Sequence, residues 1–129
     1  MENFNYLGKK VSAPSKQLDT FEKPNDVQTV KFESSELTSY CPVTHQPDFY
    51  TVIIEFTPDK LCIELKSLKL YFNSYRNDGL FFESATNKIL DDLVAVCKPR
   101  YMLITAEFNV RGGISSVIEA EYYSDKFNK

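Results

Sequence analysis

The residues best suited to chemistry lie together in Cys41-Pro42-Val43-Thr44-His45-Gln46-Pro47-Asp48-Phe49-Tyr50. The thiolate of Cys41 could attack an electrophilic carbon, and an acid such as Asp48 could protonate the atom that receives the electrons. Pro42 and Pro47 fix their own φ and bias the residues before them toward extended backbone, so the loop is held in shape. The same residues have a plainer reading, with Cys41 a small buried apolar group and Asp48 a turn residue capping its own backbone. Composition of the loop alone does not separate the two.

The other cysteines are different in setting. Cys62, in Leu61-Cys62-Ile63, and Cys97, after Val94-Ala95-Val96, read as buried packing groups, which leaves Cys41 as the thiol among polar neighbours. Three widely spaced cysteines with no Cys-x-x-Cys pair describe neither a disulfide framework nor a structural zinc site, and a single histidine argues against a His-based metal centre. No metal is expected. Nor is there a Gly-x-Gly-x-x-Gly fingerprint, so a dinucleotide would not bind in the Rossmann manner.

The elements that must position this chemistry follow from periodicity. Residues 1–26 mix Lys, Ser, Pro, Asp and Asn without a sustained period and read as an irregular arm, long enough to cross onto a neighbour. Loose alternation predicts a strand from Val27 to Ser34, ended by Ser34-Ser35-Glu36. Thr51–Thr57 is β-branched and aromatic and reads as a strand closed by Thr57-Pro58-Asp59-Lys60. From Glu64 the period becomes helical through Leu65, Leu68, Phe72 and Tyr75, with Asn77-Asp78-Gly79 as the stop. A second helix is predicted over about Glu83 to Lys98, followed by Pro99. Arg100–Val110 and Ile114–Tyr123 then form a hairpin around Arg111-Gly112-Gly113, and Ser124–Lys129 is a polar tail.

Two strands, two helices and two strands predict an α+β domain whose antiparallel sheet, about four strands wide by this count, is covered on one side by the helices. Such a sheet leaves open edges and an uncovered face, which assembly can remove. At 129 residues the chain reads as one domain, so any cofactor shares its surface. Net charge −3 argues against the broad basic face that grips nucleic-acid backbones, so a small-molecule substrate is favoured. No apolar run is long enough to span a bilayer, and the first residues lack a basic then apolar leader pattern, so a cytoplasmic location is expected.

Two motifs carry a family resemblance. The Cys41–Phe49 stretch, followed by Glu64-Leu65-Lys66-Ser67-Leu68-Lys69-Leu70-Tyr71, resembles the NADPH-dependent 7-cyano-7-deazaguanine reductases, the nitrile reductases of queuosine biosynthesis. The similarity runs from Leu7-Gly8 through Phe21 and Pro24-Asn25 to Phe108-Asn109-Val110-Arg111-Gly112-Gly113. The resemblance implies the tunnelling fold, with subunits joined into a homo-oligomer and active sites between them. It implies a deazapurine substrate whose nitrile is reduced in two hydride steps with NADPH, Cys41 forming a thioimide and Asp48 protonating the nitrogen. It implies that Glu83 anchors the purine edge, that Phe82 beside it belongs to the substrate site, and that Ile63, Glu64 and Leu65 line the other side of the base. Lys66, Lys69 and Arg111 are implied to hold NADPH phosphates, for which cations and a guanidinium fork are suited. Read without the family, Glu83 is an acid in a first helical turn, the lysines are a solvated helix face and Arg111 is a turn residue. A related transferase acting on the same nitrile in transfer RNA, and a non-catalytic purine-binding subunit, are the other two readings.

One departure stands out. The family usually carries His immediately before the purine-anchoring glutamate, where this chain has Phe82. His45 stands where glycine is commoner in the family, so His45 is a candidate to supply the missing imidazole.

Overall fold

In a computed structural model, residues 4–9, 13 and 15–127 are described. Residues 1–3, 10–12 and 14 of the expected arm, and 128 and 129 of the polar tail, lie outside them. The fold is built on strand β3 (Pro47–Thr57), in which Asp48, Tyr50, Val52, Ile54 and Phe56 are buried while the intervening positions are more exposed. That period of two is what β-branched and aromatic residues produce on a half-buried pleated surface. β3 pairs antiparallel with β2 (Val30–Tyr40) and with β5 (Tyr101–Arg111), and β6 (Ile114–Tyr123) completes the order β2-β3-β5-β6. In register, Tyr50 faces Phe108, Val52 faces Ala106, Ile54 faces Ile104 and Phe56 faces Met102, giving a continuous apolar floor.

Helices α1 (Leu65–Asn73) and α2 (Phe82–Cys97) supply the other side of the core. Leu68, Tyr71, Ile89 and Leu93 are at most 2 % exposed, each burial worth about 1.5–3 kcal/mol before entropy is charged against it. Lys98 ends α2 in a left-handed conformation, φ 47°, before Pro99 forbids continuation. Gly112 and Gly113, φ 60° and 79°, make the tight β5–β6 turn whose twist needs positive φ at both positions.

The expected strand, strand, helix, helix, strand, strand order is present, with four differences of detail. β2 does not stop at Ser34-Ser35-Glu36. A register shift between Ser34 and Leu37 absorbs one residue, so Leu37 rather than Glu36 turns into the core, and the strand continues to Tyr40. β3 begins at Pro47, which puts Asp48 on a strand rather than in a loop. α1 ends at Asn73 and passes into a 3-10 turn, Ser74–Asn77. Gly79 is not its stop; a Cβ there would lie 2.7 Å from the ring of Tyr40, so the glycine permits close approach to the end of β2. Lastly, the stretch read as an irregular arm contains β1 (Thr20–Glu22), paired antiparallel with β4 (Leu61–Ile63). Asp19, just before β1 and 5 % exposed, accepts hydrogen bonds from the backbone of Asn5 (2.7 Å) and Tyr6 (3.3 Å), tying the arm to its own domain.

Among the described residues no helix packs on the other face of the sheet, which carries Phe49 and Val117, 52 % and 60 % exposed, and Tyr101 and Tyr123 with Phe127 packed against them.

Candidate active site

Cys41 follows β2, at the start of a tight turn. Its N–H donates to Gln46 O (2.9 Å) and its carbonyl accepts from His45 N–H (2.9 Å). The turn aims donors at the sulfur: the Thr44 amide is the largest influence, then the Thr44 hydroxyl, the Val43 amide and the Arg111 side chain. Cys41 is only 6 % exposed, and desolvation opposes these donors by less than the Val43 amide contributes but by more than Arg111 does. Its pKa is lowered from 9.0 to about 6, which leaves the sulfur mostly thiolate near neutral pH. Cys62 and Cys97 are the reverse case. Burial raises both, Cys97 to about 12, as expected of packing groups.

Asp48 is brought beside Cys41 by the β2–β3 pairing, which sets it opposite Ser39. Arg111, at the end of β5, donates from Nη1 to Asp48 Oδ1 at 2.9 Å and also faces the Cys41 sulfur. Both contacts hold the guanidinium more firmly protonated, the thiolate more than the carboxylate. Asp48 Oδ2 is buried and has no hydrogen-bond partner among the described residues, and the same is true of the Tyr50 hydroxyl two positions along the strand. Burial raises the Tyr50 phenol to about 12, against the pull of the Ser39 hydroxyl, which stands outside hydrogen-bond geometry. Behind this pair runs an aromatic stack: Tyr50 on Phe108 with centroids 4.4 Å apart, and Phe108 on Phe82 at 3.8 Å and 11°.

A small cavity of about 150 Å³ opens on Cys41 and is walled by Pro42, Leu80, Phe81, Phe82, Glu83 and Arg111. Glu83 is exposed in the first turn of α2. The volume is below the roughly 300 Å³ at which small-molecule pockets begin.

Cys41, Asp48, Phe82, Glu83 and Arg111 are thus gathered at one end of the sheet. The remaining sequence candidates form a second group. Ile63, Glu64 and Leu65 line a mostly apolar cavity of about 530 Å³ with Phe21, Val30 and Phe32, in which Glu64 is the single charged wall among the described residues. Glu64 caps α1, accepting from the Lys66 and Ser67 amides at 2.7 and 2.9 Å. Lys66 Nζ donates to the carbonyl of Lys9. Lys69 is exposed over a separate cavity of about 360 Å³ that it shares with Lys31, Leu65 and Phe72. None of these five lines the Cys41 cavity.

His45 does not line it either. It is exposed, with φ 59°, and its ring lies 5.8 Å from that of Tyr40. Within one chain the imidazole is not among the walls of the cavity that Phe82 lines. Thr44, Tyr50 and Phe108 were given no role by sequence reasoning; Thr44 carries no signal beyond membership of the loop motif, whereas Tyr50 could have been found from its alternation with Asp48 along β3. Among the described residues no cluster of His, Cys, Asp and Glu is arranged to hold a metal ion.

An antiparallel sheet backed by two helices defines an α+β domain of the tunnelling-fold class, here with a low-pKa thiol and a carboxylate at the ends of its strands. The chain belongs to the family of NADPH-dependent 7-cyano-7-deazaguanine reductases. Residues 47–126 match the family model described as QueF-like protein. The reductase of that name from Nitrosococcus oceani is 55 % identical over 113 residues, 86 % of this chain and 88 % of the relative. The one from Halorhodospira halophila is 55 % identical over 112 residues, 85 % of this chain and 95 % of the relative. Among solved structures, the apo form of the archaeosine synthase QueF-Like superposes with a TM-score of 0.71 at 22 % identity, covering 75 % of this chain and 95 % of that one, a likeness of fold. Among the described residues no helix is long and apolar enough to cross a membrane.

Proposed function

We propose that this chain reduces the nitrile of 7-cyano-7-deazaguanine to the aminomethyl group with NADPH, through a thioimide on Cys41, within queuosine biosynthesis. The observation that carries the reading is the thiol lowered to about 6 beside Asp48, in a chain about half identical to proteins named for this reaction. The Cys41 sulfur adds to the nitrile carbon, forming the C–S bond, and the nitrogen takes a proton. Asp48 delivers it: Arg111 occupies Oδ1, which leaves Oδ2 free to carry the proton. When bound, NADPH supplies hydride, and two hydrides with two protons balance nitrile to amine. Cys41 leaves as thiolate between the two additions, for which a low pKa suits it as a leaving group.

The groups present fit an anionic cofactor. Lys66 and Lys69 leave one side of α1, and Lys31, Lys69, Leu65 and Phe72 offer cations beside an apolar floor. Glu83 would accept the paired N–H donors of the purine edge, and Ile63, Glu64 and Leu65 would line the base. In one chain these residues line different cavities. A homo-oligomer in which a neighbouring copy brings the second group against the first would complete the site, and the sheet face that carries no helix is available for that assembly.

The test is to mix the protein with 7-cyano-7-deazaguanine and NADPH and follow loss of cofactor absorbance alongside the amine product. Turnover by the native chain and none by a folded Cys41→Ala variant is expected. Amidine formation from ammonia and the nitrile base in tRNA, with no loss of cofactor absorbance, would point to the transferase reading, and turnover by Cys41→Ala would remove the covalent step.

A further inference from the structure

Phe82 walls the Cys41 cavity, and its ring is also held by two other side chains. Phe108 packs parallel to it at 3.8 Å, and the Arg111 guanidinium carbon lies over it, 5.7 Å from its centroid. Phe108 is itself stacked on Tyr50, which is 2 % exposed, so the ring under the guanidinium is the outer layer of a stack founded in the core. Phe82 is also the first residue of α2, and its carbonyl accepts from Thr86 Oγ1 at 2.9 Å, which fixes the backbone that carries the ring. The guanidinium so supported is the one that reaches Asp48 Oδ1 at 2.9 Å and faces the Cys41 sulfur.

We infer that Phe82 is a positioning residue: its ring, fixed on Phe108, holds the Arg111 guanidinium where one fork serves both the Cys41 sulfur and Asp48. Phe82 then acts on the thiol through Arg111 and is no platform for the base. The physical basis is the attraction of a cation to an aromatic face combined with the planarity of guanidinium, which loses little freedom on docking. Without the ring, a long side chain that is one-third exposed has many rotamers that abandon the sulfur. The charged and titratable groups facing this thiol and guanidinium are Asp48 from β3, Arg111 from β5 and Glu83 from α2. The Tyr50 phenol lies beneath Phe108, and His45 sits in the cysteine's own turn.

The inference rests on Cys41 being the nucleophile, but its test does not use the nitrile. The rate of Cys41 alkylation by iodoacetamide is measured across pH by intact mass for the native chain, Phe82→Leu, Phe82→Met, Phe82→Tyr, Arg111→Met and Phe82→Leu with Arg111→Met. Loss of the aromatic face is expected to slow alkylation near pH 5 by about two- to fivefold, the worth of an exposed cation–π contact, and by less as pH rises past about 6. Phe82→Tyr retains the native profile. In the Arg111→Met background, Phe82→Leu changes nothing further, because two residues acting through one path are not additive. Native alkylation in Phe82→Leu, or effects that add in the double variant, overturn the inference; should Phe82→Leu fail to fold, Phe82→Met decides. Failure of the native chain to reduce the nitrile would sink the functional proposal and leave these ratios standing.

Discussion

Removing the Thr44 hydroxyl tests how the Cys41 thiolate is made. Thr44→Val preserves shape and both backbone amides but deletes the second of the donors that lower the thiol to about 6. Thr44 is exposed, so solvent partly replaces what is lost, and the titration midpoint is expected to move to about pH 7 rather than to the ordinary thiol value. At about pH 6 the native sulfur is half thiolate and the variant roughly one-eleventh, a fall of about fivefold in alkylation rate. Near pH 8.5 both are almost wholly ionised, so the difference disappears to within about a tenth. The sign follows from a depressed acid: reactivity is present above the folded midpoint and is lost as pH falls through about 6. Iodoacetamide labelling read by intact mass measures this cleanly, since Cys62 and Cys97 are buried and raised, Cys97 to about 12, and stay unlabelled. A ratio that does not depend on pH would refute the reasoning, because it would mean that Thr44→Val alters access to the sulfur and not its ionisation.

Other outcomes follow from the same contacts. Glu64→Ala removes a carboxylate that satisfies two amides at the start of α1 and should cost about 1–2 kcal/mol in denaturant unfolding; unchanged stability would show the cap to be dispensable. Tyr50→Phe deletes a buried hydroxyl without a partner, so stability should stay within about 0.5 kcal/mol or rise, and a loss above about 1.5 kcal/mol would reveal a hydrogen bond to that oxygen. Lys66→Ala should raise KM for NADPH more than that for the nitrile, and equal weakening of both would return the lysine to a solvated helix face.

Much of this protein was legible in the chain itself because its signals are local. Alternation in Thr51–Thr57 and in Met102, Ile104, Ala106 and Phe108 depends on side chains pointing to opposite faces of a strand, and it marked the sheet's buried floor in advance. The same holds for the helical spacing of Leu68 and Tyr75, for the Gly112-Gly113 turn, and for the separation of Cys41 from the two packing cysteines. The loop motif also singled out the thiol and the carboxylate before either had a neighbour. What the linear pattern could not carry were matters of register and approach. The β2 bulge that turns Leu37 inward interrupts the period from which strands are read, and Gly79 looked like a helix stop although its missing Cβ serves Tyr40, distant in sequence. The resemblance offers Arg111 as a phosphate ligand, a role a guanidinium suits, and the linear sequence shows none of its contacts within the chain. Only the β3–β5 pairing brings it from the far end of the sheet onto Asp48 and Cys41, and only the packing of α2 on β5 sets Phe82 beneath it. Residue types specify what chemistry is available, but distances of a few ångströms between segments far apart in the chain exist only after tertiary packing, and those distances decide which group acts on which.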